Sequence, residues 1–421
     1  MRGLPDSFEV LRQREFRLLF SGQAVSVFGD RMVVVALAFA VLEVGGSVSA
    51  VGLVLACATL SLVGSVLVGG VVADRTSRRA VMVSADLVRL ASQGTMAALL
   101  IAGTADVWVL ALLASVTGAA TGFFNPATTA FLPEVVASEL LQQANALRAA
   151  ARSAGEILGP LVAGGLVAAA GAGWAIAIDA ATFAVSAACL VRLRLPGTAS
   201  RPAASFVVAL REGWAAFRSR RWVWTFVAYF AIGNMLWGAW SALGPVVADR
   251  ELGGAAAWGT VLAAVGAGAL GGSLLATRVR PRRPLVLIAL TEGLFGLPLA
   301  FLAAGASVPL LACAALLSGG GMMLGTSVWE STLQRHIPAE ALSRVSSYDW
   351  FGSFAFYPLG LAIWGPAAAA IGTATSLWLA FALLMAAALS LLAVPDIRRL
   401  PAEPRPGAER PKRQLVSTRP T

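Results

Sequence analysis

Gly70-Val71-Val72-Ala73-Asp74-Arg75-Thr76-Ser77-Arg78-Arg79 closes the second long apolar run of the chain. Half a chain later, Gly272-Ser273-Leu274-Leu275-Ala276-Thr277-Arg278-Val279-Arg280-Pro281-Arg282-Arg283 closes the eighth. In both places small residues end an apolar segment and a knot of arginines follows. Two more echoes also recur after roughly half the chain. Glu139-Leu140-Leu141-Gln142-Gln143 answers Glu340-Ala341-Leu342-Ser343-Arg344, and Gly159-Pro160-Leu161 answers Tyr357-Pro358-Leu359. Repeated six-span halves are how many secondary transporters build a site between two rocking bundles.

The apolar runs set the class. The 421 residues are 58% hydrophobic and 13% charged, with mean hydropathy +0.77, whereas soluble domains sit near one quarter charged. Runs of about 20 apolar residues, each enough for a ~30 Å hydrocarbon core, predict helices at 17–42, 48–73, 80–102, 107–131, 145–170, 174–195, 222–247, 256–277, 285–305, 308–330, 346–370 and 374–395. The expected fold is an all-α membrane protein of twelve transmembrane helices in two pseudo-symmetric six-helix bundles. Residues 1–195 form the first bundle, 196–221 a cytoplasmic linker with an amphipathic helix from Phe206 to Phe217, 222–395 the second bundle, and 396–421 a disordered basic tail. The first span is too long for a signal-peptide core and no A-x-A site follows it, so it reads as retained.

A net charge of +10 invites a nucleic-acid partner, but its distribution excludes one. Arg31, Arg89, Arg148 and Arg152 lie well inside spans, only Arg250 lies in an outward connection, and the rest mark the termini and alternate connections. This positive-inside bias predicts a multi-pass inner (plasma) membrane protein with both termini cytoplasmic. Cys57, Cys189 and Cys313 fall in apolar runs without metal-ligand spacing.

The Gly70–Arg79 segment resembles the cytoplasmic signature between helices 2 and 3 of the major facilitator superfamily, with Ser77 in place of its second glycine. Gly155-x-x-x-Gly159-Pro160-x-x-Ala163-Gly164 is similar to the antiporter signature of its drug-exporting branches. Phe16-Arg17, Gly29-Asp30, Asn125-Pro126-Ala127, Gln334, Ile337-Pro338 and Arg344-Val345 look like the macrolide-efflux and enterobactin-exporter branch of the drug:proton antiporters. The resemblance covers about residues 10–395. It implies alternating access and a first helix that lines a central cavity. Drug antiporters usually carry an arginine within helix 4, and residues 107–131 contain none.

Charges inside a bilayer cost at least ~2.5 kcal/mol at a helix centre, so they should face protein or water. Asp30 falls near mid-membrane, where it could exchange a proton with a cavity or be held by a neighbouring helix. Arg31 points about 100° away from it around the helix and is not an automatic partner. Arg148, Arg152 and Glu156 form one stripe, and Arg152 can pair with Glu156 one turn on; Glu156 is a second proton-coupling candidate or a static partner. Asp86 and Arg89, three apart, read as a structural pair, and Asp179 and Glu292 as structural charges. Asn234, Trp237 and Trp240 could face a bulky substrate or pack. Gly118-x-x-x-Gly122 and Gly268-x-x-x-Gly272 offer close helix approach. Gly266-x-Gly268-x-x-Gly271 matches a dinucleotide fingerprint only formally, with no strand before it. In the helix 2–3 signature, Gly70 permits tight packing, and Asp74 could latch onto a helix N-terminus of the other half beside Arg75, Arg78 and Arg79.

The function these features imply is proton-coupled efflux of a hydrophobic or amphipathic organic compound, such as an antibiotic, natural product or siderophore. Its partners are the small organic substrate, protons and the bilayer, with no cofactor, metal or nucleic acid, and a monomer is expected. Uptake by symport keeps the same fold. A membrane-embedded transferase fits poorly, because the chain has one histidine, His336, one lysine, Lys412, and no long connection for a catalytic lobe. No G-x-x-x-x-G-K-[ST] stretch is present, so the chain cannot pump on ATP alone.

Overall fold

The computed structural model describes residues 6–137, 140–193, 214–215 and 217–402, apart from the side chains of a few residues, Asp74 and Arg344 among them. Six helices build the first half: α1 (Arg14–Glu43), α2 (Val48–Arg75), α3 (Arg78–Ile101), α4 (Val107–Val135), α5 (Leu141–Ala170) and α6 (Ala172–Val191). The second half contains α7 (Arg221–Val247), α8 (Ala255–Ala276), α9 (Pro284–Phe295), α10 (Leu297–Ala303), α11 (Val308–His336), α12 (Ala339–Phe354), α13 (Tyr357–Ile371) and α14 (Thr373–Ala393). Helices α9 and α10 make one span, and α12 and α13 another. Each of these spans breaks where a proline follows, Pro298 or Pro358, because proline cannot donate to the helical ladder.

Among the described residues, eleven stretches are long and apolar enough to cross a membrane. The twelfth span is α3, whose Asp86, Arg89 and Gln93 lower its hydropathy, although all three side chains are buried. The packing obeys the internal repeat. Helix α2 lies on α4 as α8 lies on α11, and α3 on α4 as α9 on α11. Gly118 of α4 sits against the Ala58 carbonyl of α2, and Gly268 of α8 against the Leu316 carbonyl of α11, so a GxxxG face closes the equivalent helix pair in each half, from opposite members of the pair. All six connections at the end away from the termini contain a glycine with φ between 66° and 92°, and among the described residues no other residue type has positive φ. A left-handed residue there lets each span reverse within a few residues.

The halves meet along two seams, α5 with α8 and α2 with α13. Their close contacts pair Gly52 with Leu361, Ser49 with Gly365, Gly164 with Ala255 and Gly259, and Glu156 with Gly266. These run from the middle of the spans to the end away from the termini. That side is closed.

One boundary differs from the sequence expectation. The chain stays ordered past 395 in α15 (Pro395–Arg399), because Ile397 is fully buried and Asp396 approaches Arg221 at 3.9 Å. Most of the expected amphipathic linker helix lies outside the described residues. Its end is helical, and Trp214 and Phe217 pack on Tyr348 of α12, with ring centroids 5.5 and 5.8 Å away.

Candidate functional site

A cavity of about 500 Å³ lies between the halves on the side of the termini. Helix α1 contributes Gln23, Ser26, Val27 and Asp30, spaced by three or four residues and so on one face. Helix α5 contributes Asn145, Arg148, Arg152 and Glu156, and α4 contributes Asn125, Thr128 and Thr129. The other half supplies Ser273 and Met323. The polar wall belongs almost entirely to the first half.

Asp30 is the hinge of the charge arrangement. Its side chain is 40% exposed to the cavity, and its Oδ1 stands 4.0 Å from Nη1 of Arg89 on α3. Arg89 is 1% exposed, donates to Asp86, and lies between the rings of Phe124 on α4 (4.2 Å) and Phe183 on α6 (4.3 Å). A buried guanidinium needs such company, since an unpaired one would be very costly in hydrocarbon. The Asp86–Arg89 pair is thus structural, as its spacing suggests, but it also backs Asp30. Asp179 on α6 is fully buried, accepts from Nε2 of Gln93 at 3.0 Å, and faces Gly29, where any Cβ would strike it. Two carboxylates, Asp30 and Asp86, therefore pair with one guanidinium, and a third, Asp179, is buried on α6 next to the residue before Asp30. Sequence reasoning missed this convergence. The signal was Asp86, Arg89 and Gln93 on one face of α3, a polar face inside an otherwise apolar bundle.

Glu156 does not pair with Arg152 of its own helix. It pairs with Arg31 of α1 at 3.2 Å. The cause is Gly159, which lets α1 approach so closely that an added Cβ would stand 2.6 Å from the Arg31 Cβ. Asp30 and Arg31, adjacent in sequence, thereby serve different neighbours, α3 and α5.

With a twelve-span, two-half bundle and an intramembrane charge site in place, comparison with known proteins becomes decisive. Residues 19–354 match the family model described as Major Facilitator Superfamily. The chain belongs to the Major Facilitator Superfamily. Among curated relatives, the multidrug efflux pump Tap of Mycobacterium tuberculosis is 27% identical, over 94% of this chain and 97% of its own. Macrolide efflux protein A of Streptococcus pyogenes is 26% identical, over 49% of this chain and 52% of its own. Among solved structures, the nucleoside transporter NupG superposes with a TM-score of 0.72 at 12% identity, covering 90% of this chain and 98% of its own. The superfamily and the likeness to its drug-efflux branch stand as the motifs suggested. The chain is a transporter and not an enzyme.

The superfamily signatures take concrete form. Ser77, at the position of the usual second glycine, caps α3 by accepting from the Ala80 N–H. Arg78 pairs with Glu134 of α4 and Arg79 donates to the Val191 carbonyl at the end of α6. Both arginines so brace the first half from within, while Arg75 is exposed and Gly70 stands against Pro126. The Asp74 side chain lies outside the described residues. The antiporter-like motif works on two sides. Gly155 and Gly159 admit α1, and Pro160 with Gly164 admits Gly259 of α8.

Three expected cavity residues lie elsewhere. Trp237 stacks on Phe295 at 4.2 Å, Trp240 is buried against Trp258 at 4.6 Å, and Asn234 donates to the carbonyls of Phe230 and Ser353. Their helix spacing was compatible with a cavity face, but the face they occupy packs α7 against α8, α9 and α12. Glu292 accepts from Tyr229 at 2.9 Å, a bond between α9 and α7.

Proposed function

We propose that this transporter couples proton entry to the efflux of a hydrophobic or amphipathic organic compound by alternating access, in a plasma membrane with both termini cytoplasmic. The two efflux relatives support the direction, and the basic connections beside the termini support the orientation. With that orientation the closed seams face outward, so this structure is the inward-facing state.

The observation that carries the coupling is the position of Asp30: half in the cavity, with Arg89 at 4.0 Å behind it. A carboxylate in that place can be reached by a proton from the cavity and is attracted to the guanidinium only while ionised. Protonation weakens the tie between α1 and α3. Deprotonation restores it. Because the next residue, Arg31, holds Glu156 on α5, movement of α1 reaches the helix that forms the outer seam.

The test uses proteoliposomes with an imposed proton gradient and a compound chosen by a competition screen of hydrophobic molecules. Asp30→Asn should lose gradient-driven accumulation yet retain binding and downhill exchange, and Glu156→Gln serves as the comparison. Full accumulation by energised Asp30→Asn would remove Asp30 from the coupling step.

A further inference from the structure

Four arginines line or back the cavity, and two of them have acids. Arg89 holds Asp86 and Asp30, and Arg31 holds Glu156. Arg148 and Arg152 have none: among the described residues no carboxylate pairs with either. They stand one turn apart on the cavity face of α5, so both guanidinium groups address the same space. Two polar groups in the same wall are also unsatisfied. Nε2 of Gln23 and Oγ1 of Thr128 are buried without a hydrogen-bond partner, their residues 8% and 7% exposed. Gln23 can only donate through that nitrogen, and a hydroxyl can donate or accept. The facing surface, from Ser273 and Met323, is uncharged.

We propose that Arg148 and Arg152, with Gln23 and Thr128, bind the anionic head of an amphipathic substrate, a carboxylate, sulfonate or phosphate, whose apolar body lies toward Met323. The inference rests on the reading of this cavity as the transport site, and it is independent of proton coupling. Paired guanidinium groups offer forked donors that match planar or tetrahedral oxyanions. Two adjacent unpaired cations would also repel a cationic compound, so the site selects by attraction and by exclusion. About 500 Å³ is the range of a drug-sized ligand.

The experiment measures equilibrium binding, without any gradient, to the full chain in phosphatidylcholine nanodiscs. The probes are the anionic dye 1-anilinonaphthalene-8-sulfonate and the cationic dye ethidium. Wild type should bind the sulfonate saturably and more tightly than ethidium. Arg148→Gln and Arg152→Gln should each weaken it several-fold, and the double variant by about tenfold or more. Arg148→Lys/Arg152→Lys should recover part of the loss. A thermal melt of each variant confirms that it is folded. Unchanged sulfonate affinity in the folded double variant would overturn the proposal, as would absent saturable binding or a preference for ethidium. Nanodiscs containing phosphatidylglycerol separate the two sources of anion. Equal dye affinity there keeps the site for a soluble substrate, whereas a fall that the double variant abolishes assigns the arginines to a lipid head group and overturns it. Since no proton gradient enters, failure here leaves the coupling role of Asp30 standing, and failure of that role leaves this binding intact.

Discussion

Replacing Arg89 separates its two duties. Asp86 is fully buried and Arg89 is its ion-pair partner. Arg89→Met leaves that carboxylate uncompensated, a loss of ~3–5 kcal/mol for a broken buried pair. It also removes contacts with the faces of Phe124 and Phe183, each worth about 0.5–2 kcal/mol. Asp86→Leu/Arg89→Met removes both charges and leaves two apolar side chains in an apolar setting. Such exchanges are often neutral or stabilising. The single variant should therefore lose about 4 kcal/mol or more, and the double variant should recover at least ~2 kcal/mol of it, a coupling that a double-mutant cycle reads directly. Stability would be followed by tryptophan fluorescence during unfolding in detergent. Transport separates the roles: the refolded double variant still lacks the cation beside Asp30, so it should exchange substrate downhill but accumulate little against a gradient. Equal instability of the single and double variants would refute the buried pair. Wild-type accumulation by the double variant would show that Arg89 is structural only.

Gly259→Leu places a side chain against the Pro160 carbonyl and Gly164 in the α5–α8 seam, which faces outward in the proposed orientation. It should hold the seam apart, and an engineered cysteine near Gly164 should react faster with an impermeant thiol reagent; an unchanged rate would deny the seam its gating role. Trp240→Ala should cost about 3–5 kcal/mol as a lost core side chain while leaving dye affinity within about twofold, and a selective loss of affinity at full stability would return Trp240 to the substrate path. Asp74→Asn should slow transport about tenfold, equivalent to a 1.4 kcal/mol change in the balance of access states, with an unaltered melting curve. A wild-type rate would dismiss the latch.

Lengths of apolar runs and the alternation of basic connections carried most of the architecture, because a bilayer demands both in one dimension. Even α3 was legible, although its buried Asp86, Arg89 and Gln93 depress its hydropathy. Partners across helices were not. Arg152 and Glu156 have the spacing of an intrahelical pair, yet Gly159 brings Arg31 closer, and the approach of two helices is not a property of either sequence segment. The same limit applied to α7. Asn234, Trp237 and Trp240 look like a binding face or a packing face until α8, α9 and α12 are seen against them. The absent arginine of α4 is a third case: Arg89 of α3 lies over Phe124 of α4, so a cation reaches that helix from its neighbour.

On the proposed coupling, the decisive arrangement is that Asp30 and Arg31 diverge by about 100° around one helix. Asp30 ties α1 to α3 through Arg89, and Arg31 ties α1 to α5 through Glu156. Two unit charges 4 Å apart attract by about 4 kcal/mol near a protein surface and ~1 kcal/mol in bulk water. With Asp30 40% exposed, the useful value falls toward the lower figure. That is still comparable with the 1.4 kcal/mol that shifts a two-state ratio tenfold. A fully buried Asp30 would attract Arg89 more strongly but would be closed to protons from the cavity, and a fully hydrated one would exchange protons freely but move nothing. Partial exposure is what lets one residue do both. Because α5 carries Glu156 and, two turns on, Gly164, both against α8, a weakened α1–α3 tie is transmitted to the α8 contact without any further charged group. The antiporter-like motif, on this account, is a mechanical joint whose small residues keep α1, α5 and α8 near enough to move together.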